Sequence, residues 1–491
     1  MARRLLVFAV VALVALAGCQ SPARPGATTT EPVTTTPGDG TPTPTTTTQG
    51  IVDSHSDPAT DVLGWEGGYW YNETIPVTVD DGLNATERNA TIDRAMARVE
   101  HIRRLEFEKP VPVDVISRQT YQQEYAGTGN ASDALRTFDD AKFEAMFLVG
   151  ETENSLDVQE ENRGSNVLGF YTPKDDRIVI ISESETPTIE ETTLGHELMH
   201  ALQFRNFDAQ FSSPTRDAAN AHNGLIEGEA SYLDNVYKEN CGEAWSCVTP
   251  SASGGGGGGG GGIHLGVYIV KYFPYSDGPG FVKHFYEQGG WSAVADLYEN
   301  PANTSEQVAQ PEKYGTDEPT EVSLPDRSNG DWDRVTVSGR APYGEVGVGG
   351  LTAMLAYPAY HQNRSGYVLS PQAFLNTGPN GNVNMDDPFN YTTTPVRGWD
   401  GERMWIYENA DGETAYTWRI AWDSPRDARE FAESYRSLLR YWGAEKRSDG
   451  VWRIPEGESE FADAFRVTVS GDTVTIVNAP TVPELSAVHA A

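Results

Sequence analysis

The five residues His196-Glu197-Leu198-Met199-His200 constrain this chain more than any other stretch. Histidines four apart share one face of an α-helix a turn from each other, the separation that two ligands of a tetrahedral Zn2+ need, and Glu197 projects beside them. The flanking pattern is helical: Ile189, Leu194, Leu198, Ala201 and Leu202 recur as a buried stripe, and Thr188 with Glu191 forms a candidate capping box. The chain holds only 9 histidines, so such a match arises by chance on the order of once in a hundred sequences. The bland alternative is a pair of core histidines beside a surface glutamate.

Composition decides what else such a helix can serve. Asp plus Glu number 71 against 36 Lys plus Arg, a formal charge of -35 with a pI near 4.5, which excludes nucleic acid as the main partner because a polyanion is repelled. Hydrophobic residues make up 38%, with 11 Trp and 22 Tyr, so the chain is expected to fold rather than to remain an acidic disordered segment. An acidic surface of this kind suits concentrated salt, where screening over about 3 Å at 1 M removes most self-repulsion, and instability is expected in low salt. The length of 491 residues suggests two to three domains.

The N-terminus reads as an address. Arg3 and Arg4 precede an apolar run from Leu5 to Ala17 that is short for a membrane span and ends in Leu16-Ala17-Gly18-Cys19. The small residues before Cys19 resemble a lipobox, and the paired arginines resemble a twin-arginine export signal. Residues 1–19 are therefore expected to be a lipoprotein signal peptide, with Cys19 lipidated after export to the cell surface. Residues 20–56, almost wholly Thr, Pro, Gly and Ala, are expected to form a disordered stalk. With Cys19 lipidated, Cys241 and Cys247 remain and are expected to form a disulfide outside the cytoplasm. Seven Asn-x-Ser/Thr sites, at Asn72, Asn84, Asn89, Asn130, Asn303, Asn363 and Asn390, are compatible with surface glycosylation.

The fold class expected is α+β. Residues 57–315 are taken as one domain: an aromatic opening from Trp65 to Tyr71, a helix from Glu87 to Arg104, and strands at 111–116 and 143–149. A strand, turn, strand signal follows across 167–171 and 177–182. The second of those strands sits directly before the motif helix, and there the resemblance of His196-Glu197-Leu198-Met199-His200 to the zincins implies the edge strand that pairs with an extended peptide. The polyglycine run 254–262 lacks the Gly-Lys-Ser/Thr of a phosphate loop and reads as a loop, with short helices expected at 263–271, 279–288 and 292–298. Residues 316–332 are expected as a linker, 333–480 as a smaller α+β domain of β, β, α, β, β order with its helix at 427–442, and 481–491 as a disordered tail.

A second helical pattern carries Leu225-Ile226-Glu227-Gly228-Glu229-Ala230, with Leu233, Val236 and Tyr237 on its buried side. His200 is followed by Ala201-Leu202-Gln203 rather than by two residues, Gly, two residues and His, so the metzincin pattern is absent. The two helices together resemble the gluzincin clan of zincin-like metallopeptidases, in which a glutamate on a second helix, often written Glu-Gly-x-Ala, completes the metal site. That resemblance implies Glu227 as third ligand beside His196 and His200, with Glu229 and Asp234 as the other candidates. It also implies one Zn2+ per chain, Glu197 as general base, and a peptide or protein substrate. Ser231 stands where clan members carry an aspartate that partners a ligating histidine.

The stretch from Asp57 to Tyr314 also resembles a family of haloarchaeal surface lipoproteins. The resemblance rests on Gly64-Trp65-Glu66, the polyglycine run, Tyr275-Ser276-Asp277-Gly278-Pro279 and Thr304-Ser305-Glu306-Gln307. Gln310 precedes Pro311-Glu312-Lys313-Tyr314 where relatives often have histidine. Candidates for stabilising an oxyanion are Tyr232, Tyr268, Tyr272, Tyr314 and His264. The alternative function is a non-catalytic cell-surface binding or adhesion lipoprotein on the same scaffold.

Overall fold

The computed structural model describes residues 58–490 except 126–130, 165–166, 185, 250–261, 379 and 385–386. Cys19, the signal peptide, the stalk, Asn130 and polyglycine residues 254–261 lie outside the described residues. The architecture is α+β, as the patterning predicts.

β1 (Trp65–Glu66) and β2 (Tyr69–Trp70) form a small antiparallel ribbon. Tyr71 then stacks on His101 with ring centroids 3.6 Å apart, so the aromatic opening packs as an edge of the core. The helix that carries His101, α1 (Ala85–Arg103), opens with a full capping box: the Asn84 side chain accepts from the amides of Thr86 and Glu87, and Glu87 returns to the amide of Asn84. β3 (Val113–Ile116), α2 (Arg118–Glu124), α3 (Asp133–Ala145), α4 (Ser155–Gly164), β4 (Gly169–Thr172) and β5 (Arg177–Ile181) follow. The sheet order is β3-β5-β4, with β3 parallel to β5 and β4 antiparallel to it. The strand expected at the edge, β5, is thus the middle one, and β4 is the edge. The strand expected at 143–149 is also corrected. This stretch is the last turn of α3 followed by a buried turn through Phe147, whose φ is 55°, because a short apolar run reads the same in a buried helix end as in a strand.

α5 (Glu191–Asn206), α6 (Arg216–Glu243), α7 (Leu265–Glu299) and α8 (Ser305–Ala309) form the helical layer. The three short helices expected after the polyglycine run are one long helix with a break at Gly289 and Gly290, where the backbone leaves helical angles. α6 and α7 approach closely at glycines: a Cβ on Gly228 would lie 2.4 Å from the carbonyl carbon of Gly278. α6 also joins two cores. Ala221 and Leu225 pack with α3 and α7, whereas Ala230, Leu233 and Tyr237 pack with α1 and α5. Glu227 lies on α6 between them.

The C-terminal part holds β6 (Trp332–Arg334), α9 (Gly347–Ala356), α10 (Pro371–Phe374), β7 (Trp399–Asn409), β8 (Thr414–Trp422), α11 (Pro425–Tyr441), β9 (Glu445–Ser448), β10 (Val451–Arg453), β11 (Ala464–Ser470), β12 (Thr473–Ala479) and α12 (Leu485–Val488). Its seven strands pair antiparallel in the order β6-β7-β8-β12-β11-β10-β9. The expected β, β, α, β, β order is β7, β8, α11, β11 and β12. The domain boundary expected at 316–332 does not separate cores, because one cluster runs from α3, α6 and α7 through α9 into this sheet. The stretch itself is packed: Val322 and Leu324 are buried, and the Leu324 carbonyl accepts from the Trp405 indole at 2.7 Å. The tail expected at 481–491 is corrected likewise. Leu485 and Val488 of α12 are buried against the outer face of the sheet, and the amide of Asn329 bonds the carbonyl of Ala487. Two apolar residues in a polar stretch, together with backbone bonds from Asn329 to Ala487 and from Ala490 to Arg327, dock it.

Candidate metal centre

α5 is anchored at its first residue rather than by the capping box expected. Glu190 occupies the N-cap without a side-chain bond, and Thr188 plays no part. Glu191 turns inward instead, meeting Arg94 at 2.6 Å, Arg98 at 2.5 Å, the Tyr237 hydroxyl at 2.9 Å and the amide of Val248 at 2.7 Å. A carboxylate there also suits the positive end of the helix. Cys241 and Cys247 are joined in a disulfide, which closes the turn carrying Trp245 and Val248 onto this network. Gly195 lets α5 cross α6, since a Cβ there would sit 3.1 Å from the Tyr237 ring.

One turn further along α5, His196 and His200 present their rings to α6 with centroids 4.9 Å apart. Glu227 Oε2 lies 3.5 Å from His196 Nε2 and 3.4 Å from His200 Nε2. All three side chains are buried, at 3%, 2% and 3% exposure, yet these three atoms make no hydrogen bond. Buried polar atoms without partners are rare and costly. A tetrahedral ion with ligands at about 2.0–2.2 Å spaces neighbouring ligand atoms about 3.3–3.5 Å apart. The donor set, two imidazoles and one carboxylate meeting at that spacing, therefore fits Zn2+. Burial alone disfavours charge on His200, but the Glu227 carboxylate outweighs it and pushes the metal-free imidazole up to about 9. Burial likewise raises Glu227, and the neighbouring His200 charge more than offsets it, holding the carboxyl at about 2. A bound cation would take the place of the His200 proton.

Glu197 is also buried, and its Oε2 accepts from the Tyr171 amide on β4 at 2.8 Å. The motif helix and the edge strand are thereby tied at this residue. Of the other ligand candidates, Asp234 pairs with Lys238 at 2.8 Å, outside the cluster. Glu229 is turned away from it: Oε1 accepts from Arg103 Nε at 2.6 Å, and Oε2 from the Tyr298 hydroxyl at 2.5 Å and Gln203 Nε2 at 3.0 Å. Gln203 in turn contacts His200 Nδ1 through Oε1 at 2.8 Å and donates to the Ile226 carbonyl at 2.8 Å. Sequence reading missed Gln203, Arg103, Tyr298 and the Tyr171 amide. Gln203 alone was signalled, three residues after His200 on the same helix face.

Of the oxyanion candidates, Tyr314 and His264 have polar partners elsewhere, whereas the buried Tyr268 hydroxyl makes no hydrogen bond among the described residues. Tyr232 packs against Tyr286 and Trp291, Tyr268 stacks on Tyr272, and Tyr314 donates to the Asn300 carbonyl. His264 caps α7 and faces Tyr357. Gln310 bonds Glu306.

A family described as a domain of unknown function (DUF8575) matches residues 333–489, about a third of the chain. The match covers the seven-stranded sheet and α12 and leaves out the metal centre. No curated protein and no solved structure matches the chain.

Proposed function

We propose that this chain is an exported, lipid-anchored zinc metallopeptidase with a zincin-like catalytic half. The observation that carries the reading is the meeting of three buried, unbonded ligand atoms from His196, His200 and Glu227 with Glu197 one residue away on the same helix. Zinc held there would supply the Lewis acidity that activates a water molecule and polarises a peptide carbonyl. Glu197 takes the proton from that water and passes it to the departing amine. The Tyr171 amide holds one oxygen of the carboxylate and so orients it for both transfers. An extended substrate would lie along β4, the edge strand beside Glu197.

The reading of location rests on Leu16-Ala17-Gly18-Cys19 and the paired arginines. The Cys241–Cys247 disulfide suits an oxidising compartment. Among the described residues no helix is long and apolar enough to cross a membrane.

The test is peptide hydrolysis in molar salt by the wild type and Glu197→Gln, with zinc content measured on both. The expected result is full zinc in both and loss of turnover in the variant by at least about a hundredfold. Equal activity in the two, or none in either despite full zinc, would instead favour a binding protein that keeps zinc without turnover.

A further inference from the structure

The partner of His200 is an amide rather than a carboxylate, and the hydrogen bonds around it have only one consistent direction. The Ile226 carbonyl and the Glu229 carboxylate can only accept, so the Gln203 group facing both, at 2.8 and 3.0 Å, is its NH2. Its oxygen is then the atom 2.8 Å from His200 Nδ1, which must carry the hydrogen. In the neutral ring that a metal requires, the lone pair is thereby fixed on Nε2, the atom that faces Glu227 Oε2 at 3.4 Å.

The far end of the chain is equally fixed. Glu229 is fully buried and takes Arg103 on one oxygen and Tyr298 on the other, so its charge is compensated away from the centre. Gln203 also bonds the carbonyl one residue before Glu227, which clamps α5 to α6 at the level where the ligands meet. Ser231, which stands where gluzincins carry an aspartate, takes no part in these bonds.

We propose that Gln203, held by Glu229, is the positioning residue of the metal centre. It sets the His200 tautomer and the spacing between the ligand helices through a neutral acceptor, leaving Glu227 as the only uncompensated negative charge among the ligands. The proposal rests on the reading that this triad binds zinc.

The experiment uses the full chain in molar salt. Zinc affinity of the wild type and Gln203→Met is measured by competition with a chromogenic chelator, and the visible spectrum is recorded after Co2+ loading. Methionine keeps the length of the side chain and removes every hydrogen bond. The expected result is zinc binding weakened about 10–100-fold, with displaced cobalt bands, a signature that a purely structural role would not give. Should Gln203→Met fail to fold, Tyr298→Phe, which removes one donor to Glu229, carries the same test with a several-fold weakening expected. Zinc affinity within twofold of wild type and an unchanged cobalt spectrum overturn the positioning role while the metal centre stands. A wild type that takes up no zinc overturns the centre itself.

Discussion

Gly228→Ala tests whether the close approach of α6 and α7 sets the metal ligand beside it. The added Cβ would lie 2.4 Å from the Gly278 carbonyl carbon and 2.5 Å from its oxygen, against an ordinary contact of at least 3.4 Å. The helices must therefore separate by about 1 Å, since backbone atoms cannot rotate out of the way. Metal ligation tolerates displacements of only about 0.2 Å, so Glu227 would be carried out of range of both histidines unless α6 bends. Overpacking of this kind costs about 1–3 kcal/mol, partly offset by the roughly 0.8–1 kcal/mol that alanine gains over glycine within a helix. Gly242→Ala, on the same helix, is the control, because nothing lies within 4 Å of its would-be Cβ. The expected outcome is opposite signs: Gly228→Ala lowers the melting temperature and weakens zinc uptake at least tenfold, whereas Gly242→Ala is neutral or stabilising. Thermal unfolding with and without zinc and equilibrium dialysis read both effects. A Gly228→Ala protein with the wild-type melting temperature and zinc affinity would refute the reasoning.

Glu191→Gln removes the charge that pairs Arg94 and Arg98, which are 1% and 0% exposed. It should cost about 3–5 kcal/mol in chemical denaturation, and a loss under 1 kcal/mol would contradict the anchoring of α5. Burial first, and then the Glu100 carboxylate, raises Glu66 to about 9, while Glu100 keeps two backbone donors from Gly64 and Phe107. A carboxyl raised in the fold lends stability that is full below about pH 4.5 and lost as pH rises through about 9. The wild type should therefore lose melting temperature between pH 7 and 10 where Glu66→Gln does not, the two agreeing at pH 5, and parallel curves would exclude this origin. The net charge of -35 predicts a melting temperature that climbs steeply from 0.1 to 2 M KCl, and a flat dependence would show that self-repulsion is not limiting.

Much of this was legible because local chemistry and tertiary packing agree. α1 was read to within a few residues from its apolar spacing, and α11, expected at 427–442, from the Ser424-Pro425 opening that caps it in the structure. The histidine pair was legible for the same reason, since a spacing of four is local to one helix. What failed was what depends on distant partners. Thr188 with Glu191 has the spacing of a cap, yet buried Arg94 and Arg98 claim the glutamate. Leu324, Leu485 and Val488 stand among polar residues that suggest a linker and a tail, and only the outer face of the sheet explains their burial. The Glu229 network draws on Arg103 and Tyr298, more than a hundred and nearly seventy positions away, so no spacing near the motif reveals it.

Zinc stoichiometry of the purified full chain, beside His196→Ala, tests the metal centre most directly. Elemental analysis after dialysis should find one zinc per wild-type chain and far less than one in the variant, with both folded by circular dichroism. A folded wild type that holds no zinc, or a variant that holds as much as the wild type, would contradict the joint grip of His196, His200 and Glu227 on a single ion.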